Sequence, residues 1–370
     1  MADVLRQLYI EPTNRCNLDC AICVRRVWEE PLGDMPLADF RRMAQQLKRR
    51  RGLEIVSFGG YGEPLTHPDI TEMVAIAKHL GVQAHLITNG CLLDGAMAES
   101  LHAAGLDRLV ISFDGATAAP HDDVRGESTF ALAKDNAVRL RRMVLQRGWD
   151  DLELDIAFVA TRSNVADLPK LRTLAMAVGA NNVIVNNLLP HTEAMRDEIL
   201  YGRYTPSAFE PTGRGVNPHL CLPKMDIDER NRDALFELLR TYPNISLMGA
   251  RLWAGANHCR FVHEGCAAVA CDGSVSPCLA LLHTYPCYVL GRPKRIEKYV
   301  LGRVPQQTLS AIWRSAEYTD FRRRVRAFDF PPCPDCGACE FIESNREDCL
   351  GNPFPVCGDC LWAQGILQCP

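Results

Sequence analysis

No run in this sequence approaches the roughly 18 uninterrupted apolar residues that a membrane-spanning helix needs, and the opening MADVLRQLYIEP lacks the apolar segment of an export signal. Both absences predict a protein of the cytoplasm with no membrane attachment. Charge of one sign is lacking as well. The 41 Lys and Arg stand against 45 Asp and Glu, for a net charge of −4, whereas nucleic-acid binding needs clustered, unbalanced positive charge. The two basic runs, KRRR at 48–51 and RRRVR at 322–326, read as solvated helix faces. Histidine is scarce, ten in 370 residues, and none is spaced beside a cysteine group as in a zinc finger. There is no internal repeat of solenoid period and no low-complexity tract.

What the chain has in excess is cysteine: seventeen, with twelve after residue 258. Thiols in a chain without an export signal stay reduced, so this crowding argues for metal ligation over disulfides. With so few histidines, the ligand sets are mostly sulfur, and sulfur-rich sites hold zinc or iron–sulfur clusters.

The first half alternates short β-branched runs with helical patterns. Candidate strands lie at 6–13, 53–60, 84–89, 108–114, 152–161 and 182–187, and helical spacing runs through 37–50, 69–80 and 129–147. Six β–α units in succession predict an α/β fold with a parallel sheet, either doubly wound or barrel-like. Residues 1–200 would form this body. Residues 201–250 read as a connecting segment with one helix at 228–242, and residues 251–370 as a strand-poor, cysteine-rich domain that needs metal to fold.

Polar and glycine-rich residues gather where the strands end, in NRCNLDCAIC, GGYGEP, TNG, SFDG, TRSN and NNLLP. Parallel α/β folds build their sites on that edge. Cys16, Cys20 and Cys23 share the first of these loops, and no further cysteine follows until Cys91. A structural zinc site closes with four ligands, whereas a site that acts on something keeps a position open. Three cysteines fit a four-iron cluster with one bare iron; a zinc site completed from elsewhere, for instance by Cys91, fits the triplet alone as well. Gly59, Gly60 and Gly62 allow close backbone approach to a ligand, and Glu63 supplies an anion. Ser112 and Asp114 offer hydrogen bonds to ribose hydroxyls, Arg125 a two-pronged donor for a carboxylate, and Asn89 a polar group facing a cofactor or shaping the turn before Gly90.

The CxxxCxxC spacing after the first strand, followed by GGYGEP after the second, resembles the radical SAM superfamily. The resemblance implies a partial (β/α)6, TIM-like barrel. It also implies that the open iron chelates the amino and carboxylate groups of S-adenosylmethionine, whose reductive cleavage gives a 5′-deoxyadenosyl radical. The residues that would meet this cofactor by resemblance are Gly59, Gly60, Gly62, Glu63, Asn89, Ser112, Asp114 and Arg125. One departure is Ile22, where the family usually carries an aromatic residue.

Residues 259–278, with Cys259, Cys266, Gly273 and Cys278, resemble the opening of the SPASM extension, which holds two auxiliary four-iron clusters. The continuation departs from the family: Cys333, Cys336 and Cys339 run CxxCxxC and wider gaps follow. Two clusters need about eight thiolates, and the candidate pool is Cys259, Cys266, Cys278, Cys333, Cys336, Cys339, Cys349, Cys357, Cys360 and Cys369, with Cys271 and Cys287 as ordinary thiols. The tail SNREDCLGNPFPVCGDCLWAQGILQCP is similar to that of radical SAM/SPASM proteins accompanying tungsten-containing aldehyde ferredoxin oxidoreductases. This implies a maturation role on a protein, peptide or bound pterin cofactor, with reduced ferredoxin or flavodoxin as electron donor. Formation of a thioether or carbon–carbon crosslink in a ribosomal peptide is the alternative chemistry, and a zinc-ribbon binding protein on an inert α/β scaffold the alternative class. No catalytic acid or base is assigned; Cys91, Cys221 and Tyr61 are candidates.

Overall fold

The computed structural model describes residues 4–47, 52–201, 219–223, 225–241, 245–247, 258–331, 333 and 339–368. Six strands follow the six sequence runs: β1 (Gln7–Ile10), β2 (Ile55–Phe58), β3 (Gln83–Thr88), β4 (Arg108–Ser112), β5 (Glu153–Ala160) and β6 (Asn182–Asn187). Each pairs in parallel with the next in chain order, in registers such as Leu8↔Val56 and Ile156↔Val183. Parallel neighbours require a crossover. The crossovers are α1 (Leu37–Leu47), α2 (Ile70–Lys78), α3 (Gly95–Ala103), α4 (Ala118–Arg125) with α5 (Thr129–Arg147), and α6 (Leu171–Val178). Gly148 and Gly179 end α5 and α6 at φ +66° and +75°, a left-handed stop that an L side chain resists. Sequential order is that of a singly wound, barrel-type sheet, and it excludes the doubly wound reading, in which strand order reverses.

Both flanks of this sheet extend further. Beyond β6 lie β7 (His219–Leu222) and, after α7 (Arg232–Thr241), β8 (Ile245–Leu247), both parallel. The segment expected to be a connector with one helix therefore also supplies two strands. On the other flank, β9 (Cys266–Val269) pairs in parallel with β1, and β10 (Ser274–Ser276) and β13 (Gly302–Arg303) continue antiparallel. A separate hairpin joins β11 (Tyr285–Val289) to β12 (Arg292–Ile296). The tail is thus not strand-poor, and it shares the main core. Phe261, Val275 and Trp313 belong to one buried cluster with Leu8, Ile10 and Phe58.

The remaining helices of the tail are α8 (Arg260–His263), α9 (Leu309–Trp313) and α10 (Ala316–Ala327). The run at 322–326 lies on α10 and is not wholly a solvated face. Arg322 is buried with its guanidinium 4.0 Å from the Trp313 ring centroid and 4.3 Å from that of Tyr318. The run at 48–51 lies outside the described residues. Among the described residues no helix is long and apolar enough to cross a membrane.

Candidate functional site

The loop leaving β1 is tied by its own polar groups. The Asn14 side chain donates to the Pro31 carbonyl (3.0 Å) and accepts from the Gly33 N–H (2.7 Å), while Thr13 Oγ1 donates to Asp34 (2.6 Å). Ala21 N–H donates to the Val124 carbonyl at 2.7 Å, fastening the loop to α4. These bonds leave Cys16, Cys20 and Cys23 half-buried, and no described cysteine is in a disulfide.

Burial raises all three thiol pKa values, that of Cys20 to about 11. Cys23 adds to the rise at Cys16 and Cys20, and Cys16 to that at Cys20; the positive charges against them are Arg25 at Cys16 and Cys23, and Arg125 at Cys20 and Cys23. Three neighbouring thiols that resist ionisation are what a cationic metal cluster would convert to thiolates. Among the described residues no three His, Cys, Asp or Glu side chains gather tightly enough for a single metal ion; a cubane cluster spreads its ligands wider than one ion does.

The β2 loop presses directly on this cysteine loop. A Cβ on Gly62 would stand 2.0 Å from the Thr13 carbonyl oxygen and 2.8 Å from that of Arg15, so only glycine fits. Gly60, at φ +119°, would place a Cβ 3.0 Å from the Glu11 side chain, and Gly59 one at 2.9 Å from Ile87 Cδ1. The close approach these glycines permit is therefore first an approach of chain to chain. Glu63 is buried and already well partnered. Its Oε1 accepts from Thr88 Oγ1 (2.7 Å) and Leu65 N–H (3.0 Å), and its Oε2 from Asn89 N–H (2.7 Å). Burial raises its pKa against those hydrogen bonds.

Asn89 reaches back to the first loop, donating to Asn17 Oδ1 at 2.8 Å and lying 3.9 Å from Cys16 Sγ. Its Oδ1 accepts from the Cys91 N–H at 2.9 Å, so it both shapes the turn and faces the cysteine loop. Ser112 closes β4 half-buried. Asp114 is fully buried, with Oδ2 accepting from Arg125 Nε at 2.6 Å and Oδ1 from Val159 N–H at 3.1 Å. It holds Arg125, whose side chain is 12% exposed. Burial works against the guanidinium charge, but Asp114 and then Cys20 hold its pKa above the ordinary value. Cys91 is buried in the same field, pushed to about 11 by desolvation, with Arg125, Glu63 and Cys16 acting on it. Cys221 sits apart on β7, and Tyr61 donates its hydroxyl to the Leu279 carbonyl at 3.2 Å.

The tail sorts its cysteines into two groups. Cys259, Cys278, Cys357 and Cys360 line one apolar cavity, and the Cys278 thiol is pushed far up by burial and then by Cys259, Cys360 and Cys357. Cys333, Cys339 and Cys349 line a second cavity; burial lifts Cys333 to about 11, with Cys349 and Cys339 adding to it. Cys336 and Cys369 lie outside the described residues. Cys266 lines neither cavity, and its sulfur stands 3.9 Å from Gln7 Oε1 at the start of β9. Of the two cysteines expected to be ordinary thiols, Cys287 lines the first cavity and Cys271 neither.

Two buried charged arrangements escaped the sequence reading. His283 lies between Glu11 (Nε2–Oε2, 2.9 Å) and Glu30 (Nδ1–Oε2, 2.9 Å), with its ring 4.0 Å from that of Trp28. Burial pulls its pKa down, but the two carboxylates overcome this and hold it at about 9. Lys294 bonds both carboxylate oxygens of Asp359 at 2.8 and 2.9 Å. A charged residue ending an apolar strand, as Glu11 does in LYIEP, was the one local signal; nothing near it names a partner 272 residues away.

Comparison with known proteins gives independent matches. Residues 10–150 match the profile of the radical SAM superfamily, and residues 259–340 that of an iron–sulfur cluster-binding domain, SPASM. The chain is 32% identical, over 99% of its length and 97% of the relative's, to the tungsten-containing aldehyde ferredoxin oxidoreductase cofactor-modifying protein of Pyrococcus furiosus. It is 33% identical to a PqqA peptide cyclase of Gluconobacter oxydans over 95% of this chain and 87% of that one. Among solved structures, Streptococcus suis SuiB bound to S-adenosylmethionine aligns over 90% of this chain and 71% of its own, with a TM-score of 0.59 at 18% identity, a likeness of fold.

Proposed function

Given that the chain belongs to the radical SAM superfamily and carries its SPASM extension, we propose that it modifies the cofactor of a tungsten-containing aldehyde oxidoreductase. Membership makes it an enzyme that uses four-iron clusters and S-adenosylmethionine, which together supply one-electron abstraction of a substrate hydrogen atom. The tungsten assignment is carried by one observation, the 32% identity that runs through nearly the whole of both chains.

On this reading Cys16, Cys20 and Cys23 hold the cluster with the open iron. Asn89 fixes the cysteine loop through Asn17, and Gly62 seats Glu63 against it. Arg125, steadied by Asp114, meets the carboxylate of S-adenosylmethionine, and Glu63, through the part of its carboxylate not taken by Thr88, Leu65 and Asn89, its ammonium. The first auxiliary cluster belongs to Cys259, Cys278, Cys357 and Cys360, which share a cavity; the second belongs to Cys333, Cys339 and Cys349, with Cys336 as its fourth ligand. Residues 1–200 carry the six-strand barrel, 201–250 extend its sheet through β7 and β8, and 251–370 add β9, β10 and β13 to it and carry the auxiliary cysteines, the whole working in the cytoplasm with reduced ferredoxin or flavodoxin as electron source.

The test is anaerobic reconstitution with iron and sulfide, then S-adenosylmethionine and a strong reductant. 5′-Deoxyadenosine should form, and Cys16→Ala with Cys20→Ala and Cys23→Ala should abolish it while keeping about two thirds of the iron. Incubation with the tungsten enzyme and mass analysis of its released pterin decides the substrate. The 33% identity to a peptide cyclase over 95% of the chain favours a second reading, modification of a peptide. An unchanged pterin with an altered peptide mass would establish that reading instead.

A further inference from the structure

Lys294 and Asp359 form a buried ion pair, 6% and 4% exposed, with the ammonium 2.8 and 2.9 Å from the two carboxylate oxygens. Lys294 comes from β12, and Asp359 from the turn between Cys357 and Cys360. Both side chains line both cysteine cavities, the one bounded by Cys278 and Cys360 and the one bounded by Cys333 and Cys349. A pair that served only to pin the hairpin would not need to stand between two groups of thiols.

We infer that the Lys294–Asp359 pair is a shared electrostatic control of the two auxiliary centres, setting the reduction potentials of both together. The inference rests on the assignment of clusters to those two cysteine groups. Its physics is direct: an added electron makes a cluster more negative, so a nearby carboxylate disfavours reduction and an ammonium favours it. Inside the protein these fields are weakly screened.

Lys294→Met, Asp359→Asn and the double variant, each as the full reconstituted chain, test this by redox titration followed by electron paramagnetic resonance. Lys294→Met should lower the midpoint potential of both auxiliary signals and Asp359→Asn should raise both. The double variant should return toward wild type, and Lys294→Arg should stay near it. Unmoved potentials in fully iron-loaded single variants, or movement of only one signal, would overturn the inference. Should Lys294→Met fail to load iron, the Asp359→Asn and Lys294→Arg arms decide. Absence of both auxiliary signals from the wild-type chain would instead sink the cluster assignment beneath it.

Discussion

Glu11 and His283 meet in the interior at 2.9 Å, one at the end of β1 and the other just before β11, and both are almost wholly shielded from water. The contact locks the cysteine-bearing end of the barrel to the tail, with Glu30 and Trp28 closing the far side of the imidazole.

That contact makes stability depend on pH in a defined sense. The folded pKa of His283 is raised from 6.5 to about 9, so its contribution is complete below pH 6.5 and is lost as pH rises through about 9. Glu30 is lowered from 4.5 to about 2, its burial outweighed by hydrogen bonds from His283 and Thr284, so its contribution is present above 4.5 and lost as pH falls through 2. Urea midpoints should therefore be highest between about 4.5 and 6.5 and decline toward pH 9. His283→Gln should flatten the alkaline decline and cost about 3 kcal/mol at pH 6, because it leaves the Glu11 carboxylate buried without its cation.

Gly62 offers a sharper steric test. Its added Cβ would meet backbone oxygen at 2.0 Å, whereas Gly81, at φ +78°, has nothing within 4 Å. Gly62→Ala should lose about 3 kcal/mol or more, since the overlap is with backbone that cannot rotate away, and Gly81→Ala about 1 kcal/mol from its dihedral alone. Thermal unfolding gives both values. Iron content should fall only in Gly62→Ala, because the displaced segment is the one carrying the cysteine triplet.

Local features were legible from the chain itself. β6 spans 182–187 and α5 spans 129–147 as their apolar patterns indicate. The failures share a cause, which is distance along the chain. CAAV at 266–269 is too short to announce a strand, and becomes one by pairing with β1, some 260 residues earlier. The roles of Gly60 and Gly62 depend on Glu11 and Thr13 in another loop. The Arg125 contact of Asp114 and the place of Cys266 on β9, outside the two cysteine cavities, are likewise set by partners distant in sequence.

The Asp114–Arg125 pair yields a binding prediction. Asp114→Asn removes the charge that orients a largely buried guanidinium beside Cys20, so the affinity for S-adenosylmethionine should weaken about tenfold, or 1.4 kcal/mol. Arg125→Lys should weaken it similarly, since a single ammonium cannot replace the planar fork. Equilibrium dialysis under anaerobic conditions measures this, and an unchanged affinity in both variants would place the carboxylate of the nucleotide elsewhere.

The two cysteine groups separate cleanly by substitution. On the proposed allotment Cys278→Ser and Cys349→Ser should each lose about four irons per chain, because each would remove a ligand at a different cavity, and together they should lose about eight. Cys266→Ser and Cys271→Ala should retain full iron, since neither residue lines either of the two cysteine cavities. Cys287→Ala discriminates most finely, for Cys287 borders the first cavity yet lies on the β11 strand rather than in a ligand loop. Full iron with an altered resonance signal there fits a thiol packed against the cluster, whereas loss of four irons would make Cys287 a ligand and displace one of Cys259, Cys278, Cys357 and Cys360 from the set.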